Sequence, residues 1–410
     1  MNGKERVRVA LAQREADRVP VWELGFHNAV ARRITGHETW LSVGGGATVR
    51  AVLRANRLGR AARQETIGRV VADTLAFYRR MDFDMVRFRP TDFLTPFAFG
   101  SGNWSPSALV EARISELGSD TWRVETPDGF WSVHQYNPMS ESMADVDDCI
   151  KRGGLEELRR YVEVLESRPV DLQGEPFQDA LDGIRQAVQA REARDLFILG
   201  WGDICYPGSC AHLPVFLEAM LLEPELVHRY MRVTTEGVVR LVRAQAALGV
   251  DGITGGNDWA FKTGPMFSVK LLRSLIAPYL KRIVDEAHQL GLPYIKHADG
   301  DMRSHLPVLV EEVGIDGLHA IEPEASMDIF ELKQRYRGRL TLLGNLDCDL
   351  LVRGKPDQIR TSVARLMREV APGGGYVFSS ANTVLMDVPM QNLEAMQSAA
   401  REFGVYPISH

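Results

Sequence analysis

The sequence predicts an α/β protein built as a closed (β/α)8 (TIM) barrel, with an N-terminal helical extension and a cap or hairpin region inserted between strands 2 and 3. Three observations carry this expectation. Eight short apolar stretches recur along the 410 residues, and most are separated by segments whose apolar positions have helical spacing. The alternation stops between about residues 91 and 190, where Pro, Gly, Ser and Trp become frequent. No G-x-G-x-x-G turn follows the first apolar stretch and no Walker sequence occurs, which removes the usual mark of the competing open doubly wound sheet. The whole chain, 1–410, is therefore read as one barrel domain with 91–190 inserted in it.

Taken in order, Asn2 followed by Glu5 reads as a helix cap, and Val19–Leu24 is strand 1, with a polar exit at Glu23, His27 and Asn28. Arg63 to Met81 has helical spacing and leads to strand 2, Phe83–Phe88. Thr121–Glu125 and Pro127–His134 form a hairpin around Asp128-Gly129, and helices resume at Leu155–Glu166 and Phe177–Glu192. Strand 3 is Leu196–Trp201, strand 4 Gly252–Gly255, strand 5 Pro293–Lys296 and strand 6 Asp316–Glu322. Strand 7 is Leu340–Asn345 and strand 8 Gly375–Ser380. Between them lie helices with faces at Leu213–Leu221, Glu225–Leu248, Leu271–Leu290 with a break at Pro278, and Pro356–Ala371. Gly44-Gly45-Gly46 and Gly373-Gly374-Gly375 read as turns rather than phosphate loops.

Composition narrows the function classes. A formal charge of -6 with mixed signs lacks the basic face that a polyanion requires, so neither nucleic acid nor an anionic membrane is the expected partner. No apolar run reaches signal-peptide or membrane-span length, and the expected location is cytoplasmic. Cys149, Cys205, Cys210 and Cys348 are scattered without C-x-x-C spacing and read as free thiols, with Cys205 and Cys210 as a minority option for a thiolate ligand.

In a barrel of this kind the site lies at the carboxyl ends of the strands. Strand 5 exits into His297-Ala-Asp299, whose spacing puts imidazole and carboxylate on one face of an extended chain. Such a pair binds a divalent metal, or works as an oriented acid–base. Asp258 leaves strand 4 and Glu322 strand 6, and with His297 and Asp299 they are the expected catalytic set. Glu23, His27, Trp201, Tyr206, Asn257, Lys262, Asn345 and Asn382 are the expected substrate-binding residues. Each has a plain alternative: Asp258 as a loop or capping residue, Glu322 in a salt bridge, Asn345 and Asp347 as caps, Asn382 closing a turn. His319 reads as packed, His288 and His305 as solvated, and Trp22, Phe26, Trp104, Trp201 and Trp259 as possible pocket aromatics.

At these residues the chain resembles the uroporphyrinogen decarboxylase superfamily. The resemblance rests on Asp17-Arg-Val-Pro-Val21, Gly249-Val-Asp-Gly252 into Asn257-Asp258, His297-Ala-Asp-Gly300, Leu343-Gly-Asn-Leu-Asp347, Gly373-Gly-Gly-Tyr376 and Asp387-Val-Pro389. Two departures shape what it implies. The arginines that hold a tetrapyrrole's carboxylates after strand 1 are replaced here by Glu23 to Asn28, and the H-x-C zinc pair of the thiol-methylating members is replaced by His297 and Asp299, with no cysteine close to Asn382 in sequence. The resemblance therefore implies a cobamide-dependent methyltransferase that moves a methyl group from a small, methoxylated, usually aromatic substrate to a corrinoid. It implies a divalent metal, zinc first, at His297, Asp299 and Glu322, and a homodimer. The carrier signature D-x-H-x-x-G is absent from the chain, so the corrinoid is expected on a separate carrier protein. The alternative is a decarboxylase or lyase acting on a small acid.

Overall fold

The computed structural model describes residues 1–41, 46–90, 112–139, 141–167, 174–190 and 196–408. The expectations at Gly44, Gly45 and Trp104 fall outside these residues. Seven parallel strands pair in chain order: Met85–Arg87, Phe197–Trp201, Gly252–Gly255, Tyr294–Ala298, Gly317–Ala320, Thr341–Leu346 and Tyr376–Ser380. They are strands 2 to 8 of the expected barrel.

The expected strand 1 is an extended stretch that touches both edges of this sheet rather than a regular ladder. Trp22 N–H donates to Phe378 O, Phe378 N–H to Pro20 O, and Asp84 N–H to Val21 O. Regular pairing fails here for a chemical reason. Pro20 has no N–H, and the N–H of Val21 donates to the Asp84 carboxylate at 2.7 Å.

Asp84 also accepts from Arg6 at 2.5 Å and Arg18 at 2.7 Å, and Lys4 meets Asp251 at 2.5 Å. Both aspartates immediately precede barrel strands, so the N-terminal helix Gly3–Leu11 is held under the amino-terminal ends of the sheet. Its start is the expected capping box between Asn2 and Glu5. The opposite, carboxyl-terminal end is left for the site.

Helices alternate with the strands on the outside, among them Arg60–Arg80, Pro224–Leu248, Ala277–Gln289 and Pro356–Val370. The expected break near Pro278 is a π-helical turn, Leu272–Ile276, which accommodates a residue that lacks an N–H and crowds the preceding turn. His305, expected in solvent, is instead fully buried, with Nε2 on Phe267 O at 3.0 Å and its ring stacked on Phe267.

Between strands 2 and 3 the expected hairpin is part of a four-stranded antiparallel sheet: Arg113–Gly118, Thr121–Glu125, Trp131–Asn137 and Ser142–Asp148. Its Asp128-Gly129 turn has Gly129 at φ +82, the conformation that favours glycine. The sheet meets the exits of strands 1 and 3. Asn28 N–H donates to Glu141 at 2.6 Å, and His212 pairs with Asp148 at 2.7 Å.

Candidate active site at the carboxyl end of the barrel

Strands 5 and 6 pair with His297 opposite His319, so their imidazoles project side by side. The two Nδ1 atoms are 2.7 Å apart, a separation that requires one to donate and the other to accept. Both rings are buried. Burial, followed by the charges of Arg87, Lys296 and Arg89, pulls the His297 pKa well below its usual value, so the ring is neutral.

The other edge of His297 faces two acids. Nε2 is 3.6 Å from Asp299 Oδ1 and 3.9 Å from Asp258 Oδ1. Ligand atoms of Asp258, His297 and Asp299 all lie within 4.8 Å of one another. Asp299 N–H donates to Asp258 Oδ1 at 3.0 Å, which locks the two loops together. Asp299 Oδ2 accepts from Asn382 Nδ2 at 2.9 Å, while its buried Oδ1 has no hydrogen-bond partner. Burial, then repulsion from Asp258 and Glu322, raises the Asp299 pKa to about 8 against the opposing pull of Asn382. A buried oxygen without a donor, among like charges, calls for a proton or a cation. One nitrogen and carboxylate oxygens at this spacing fit a divalent ion such as zinc.

The loops that deliver these groups are constrained by glycine. Gly256 lies against the Trp201 ring, where a Cβ would come within 2.8 Å of a ring carbon. Gly300, at φ +85, passes so close to the backbone of Ala260 that a Cβ would sit 2.6 Å from it.

Several expected residues occupy other places. Glu322, expected as a ligand, lies one step out from the cluster, its carboxylate accepting Gly300 N–H at 2.8 Å, and Asp258, expected in the catalytic set, is the third member of the cluster instead. Ile321, at φ +58, makes the sharp turn that puts Glu322 there. Glu23 is wholly buried and committed to Ser380. His27 caps the helix Asn28–Thr35 through Nδ1 and meets Pro138 O through Nε2 at 3.1 Å. Tyr206 packs in the core between Phe216 and Phe267. Asn257 binds Asp203 and Ile204, Asn345 binds Ile321 O, and Lys262 is an exposed partner of Glu324. Short buried polar groups leave a strand with the same sequence signature whether they face the cavity or brace a loop.

Three further groups shape the site without a local signal in the sequence. His319, which its sequence position suggests is packed, is buried and also orients His297 through the Nδ1 contact. The signal was its register opposite His297 on the next strand. Lys296 donates to Asp203 at 2.9 Å and to the carbonyls of Asn257 and His297, bracing the cluster from the other face of the strand. Arg87 and Arg89 place their guanidinium carbons 5.6 and 5.5 Å from the Trp201 ring centroid, forming a basic, aromatic wall. Of the other aromatics, Trp22 packs edge-on to His319, Trp259 lies over Lys296, and Phe26 is in the core with Phe77 and Phe83. Cys348, distant in sequence from residue 382, has its thiol against the backbone N–H groups of Ala381 and Asn382.

Residues 206–403 match the uroporphyrinogen decarboxylase family profile. Over this stretch, just under half of its length, the chain is similar to that family. The matched stretch contains Asp258, His297, Asp299, Glu322 and Asn382; Arg87, Arg89 and Trp201 precede it. The chain is 23% identical over 238 residues to uroporphyrinogen decarboxylase of Coxiella burnetii, covering 55% of this chain and 62% of that one. It is 27% identical over 220 residues to the enzyme of Xanthomonas euvesicatoria, covering 49% and 58%. It therefore spans about three fifths of the length of these curated relatives. A solved methyltransferase from Methanosarcina mazei shares the fold across 98% of this chain and 99% of its own, with a TM-score of 0.64 at 17% identity. The structural likeness shows the barrel fold, and the profile match covers the part of it that carries the Asp258, His297 and Asp299 cluster.

Proposed function

We propose that this protein is a methyltransferase that takes a methyl group from a small methylated substrate, a methoxylated aromatic first, and passes it to the corrinoid of a separate carrier protein. The observation that supports this most is the convergence of His297 Nε2, Asp258 and Asp299 on one point at the mouth, with Asp299 Oδ1 buried and unsatisfied. A methyl ether leaves poorly until its oxygen is protonated or bound to a Lewis acid. At neutral pH the Asp299 carboxyl, with its pKa raised to about 8, holds a proton that it can donate to the leaving oxygen. Asn382 fixes the carboxyl through Oδ2 and leaves Oδ1, 3.6 Å from His297 Nε2, without a donor, and the Nδ1 contact with His319 orients the His297 ring. A divalent cation held by Asp258, His297 and Asp299 would take the place of the Asp299 proton and would supply Lewis acidity at the leaving oxygen instead. The Trp201 face with Arg87 and Arg89 gives a flat, positively charged wall that suits an aromatic ring bearing an anionic group.

The second reading is decarboxylation of a small acid, favoured by the names of the curated relatives and by the same two arginines as a carboxylate seat. One assay separates the two. Purified protein is incubated with cob(I)alamin and a panel of methyl aryl ethers, and in parallel with small carboxylic acids. Methylcobalamin and a free phenol are expected from the first incubation and no carbon dioxide from the second; the reverse pattern sinks the methyltransferase reading.

A further inference from the structure

Away from the mouth, a second group of metal-capable side chains assembles where the small antiparallel sheet meets the barrel. Ligand atoms of Asp145, Cys210 and His212 lie within 4.8 Å of one another. Asp145 comes from the strand Ser142–Asp148, and Cys210 and His212 from the loop between strand 3 and the helix Leu213–Leu222.

The local backbone is shaped to bring them together. Ser132 pairs with Asp148 and His134 with Asp145, with a bulge that leaves Val146 as the extra residue. In a regular strand, positions 145 and 148 point to opposite faces; the bulge turns both inward and leaves Val146 39% exposed. Asp148, fully buried, accepts from His212 Nδ1 at 2.7 Å, which fixes the imidazole proton there and leaves the Nε2 lone pair for a ligand. His212 is 2% exposed and Cys210 9%. Both oxygens of Asp145 are buried and no side chain donates to either. Asp145 and Asp148 turn two carboxylates inward, where Asp145 meets the Ala211 N–H and, among the described residues, no lysine or arginine side chain donates to it, an arrangement that calls for a proton or a cation.

We propose that Asp145, Cys210 and His212 form a second divalent-metal site that takes zinc and pins the small sheet to the barrel. Nitrogen, sulfur and oxygen donors with a carboxylate behind the histidine are the donor set zinc prefers, and water completes the fourth position. Binding releases the Cys210 thiol proton, so occupancy weakens as pH falls. This site does not depend on the reading of the mouth, because it shares no residue with it.

The test uses cobalt(II) as the probe. Full-length protein is stripped with a chelator and titrated with cobalt(II), following absorbance. Only a thiolate ligand gives a near-ultraviolet sulfur-to-cobalt charge-transfer band, and the Asp258, His297 and Asp299 cluster contains no thiol. The band should saturate at one cobalt per chain, vanish in Cys210→Ser, shrink in His212→Gln, and persist in His297→Ala and Cys348→Ser. No band in the unaltered protein overturns the proposal, and that arm needs no variant to fold. A band that survives Cys210→Ser, or is lost in Cys348→Ser, also overturns it. Zinc should raise the Tm of the stripped protein by more than that of Cys210→Ser, in which only the cluster at the mouth is left to bind it; equal shifts count against the clamp.

Discussion

Asp299 is a buried carboxyl with one oxygen tied to Asn382 and the other without a donor, and its proton is retained up to about pH 8 by burial and by Asp258 and Glu322. Replacing it with Asn keeps the shape and removes the acid. Asp299→Asn should lower kcat for methyl transfer by about 10²–10⁴-fold, with a smaller change in KM, by steady-state assay. Glu23 shows the same physics in a structural role. Ser380 Oγ lies 2.5 Å from Glu23 Oε2 and 2.6 Å from Asn382 O, and one hydroxyl proton cannot serve both, so the carboxyl donates. Burial raises its pKa from 4.5 to about 8. The stability this protonated group contributes is therefore complete below about pH 4.5 and lost as pH rises through about 8. Glu23→Gln mimics the protonated form. Its unfolding free energy relative to the unaltered protein should rise between pH 5 and pH 9 by on the order of 3 kcal/mol, measured by urea denaturation. A difference that stays flat with pH would show that Glu23 is not protonated in the fold. At this scale His297 and Asp299 were legible because they break an apolar run. His319 was not, because a histidine within an apolar strand looks like core until its neighbour across the sheet is known.

At the level of elements, the strands were legible because their apolar runs match the period of a buried parallel sheet. The exceptions have local chemical causes: Pro20 and the Asp84 carboxylate interrupt strand 1, and the acidic strand Ser142–Asp148 carries no apolar alternation to announce it. Strand 5 is also braced by a buried ion pair that its sequence does not announce, since Lys296 reads only as the last residue of the strand. Lys296 and Asp203 are both buried, and the lysine's donors go to Asp203, Asn257 O and His297 O. Lys296→Met leaves Asp203 with an unpaired buried charge and should cost about 3–5 kcal/mol by chemical denaturation. A loss under about 1 kcal/mol would mean that water or a shifted partner replaces the ammonium.

At the scale of the whole molecule, the N-terminal helix closes one end of the barrel through Arg6, Lys4, Asp84 and Asp251, and the strand exits converge at the other. Among the described residues no helix is long and apolar enough to cross a membrane. The barrel followed from counting strands, but the small sheet's docking on His27, Asn28 and His212 depends on contacts between residues more than 60 positions apart. Such pairings leave no local pattern in a single sequence. The central claim is that the cluster of Asp258, His297 and Asp299 activates the leaving oxygen. Its most direct test is methyl transfer to cob(I)alamin from a series of methyl aryl ethers whose phenols span a range of acidity. The account predicts a shallow dependence of kcat on phenol pKa in the unaltered protein and a steep one in Asp299→Asn, with the most acidic leaving groups nearly restored. Parallel slopes in the two proteins, or no transfer from any donor, would contradict it.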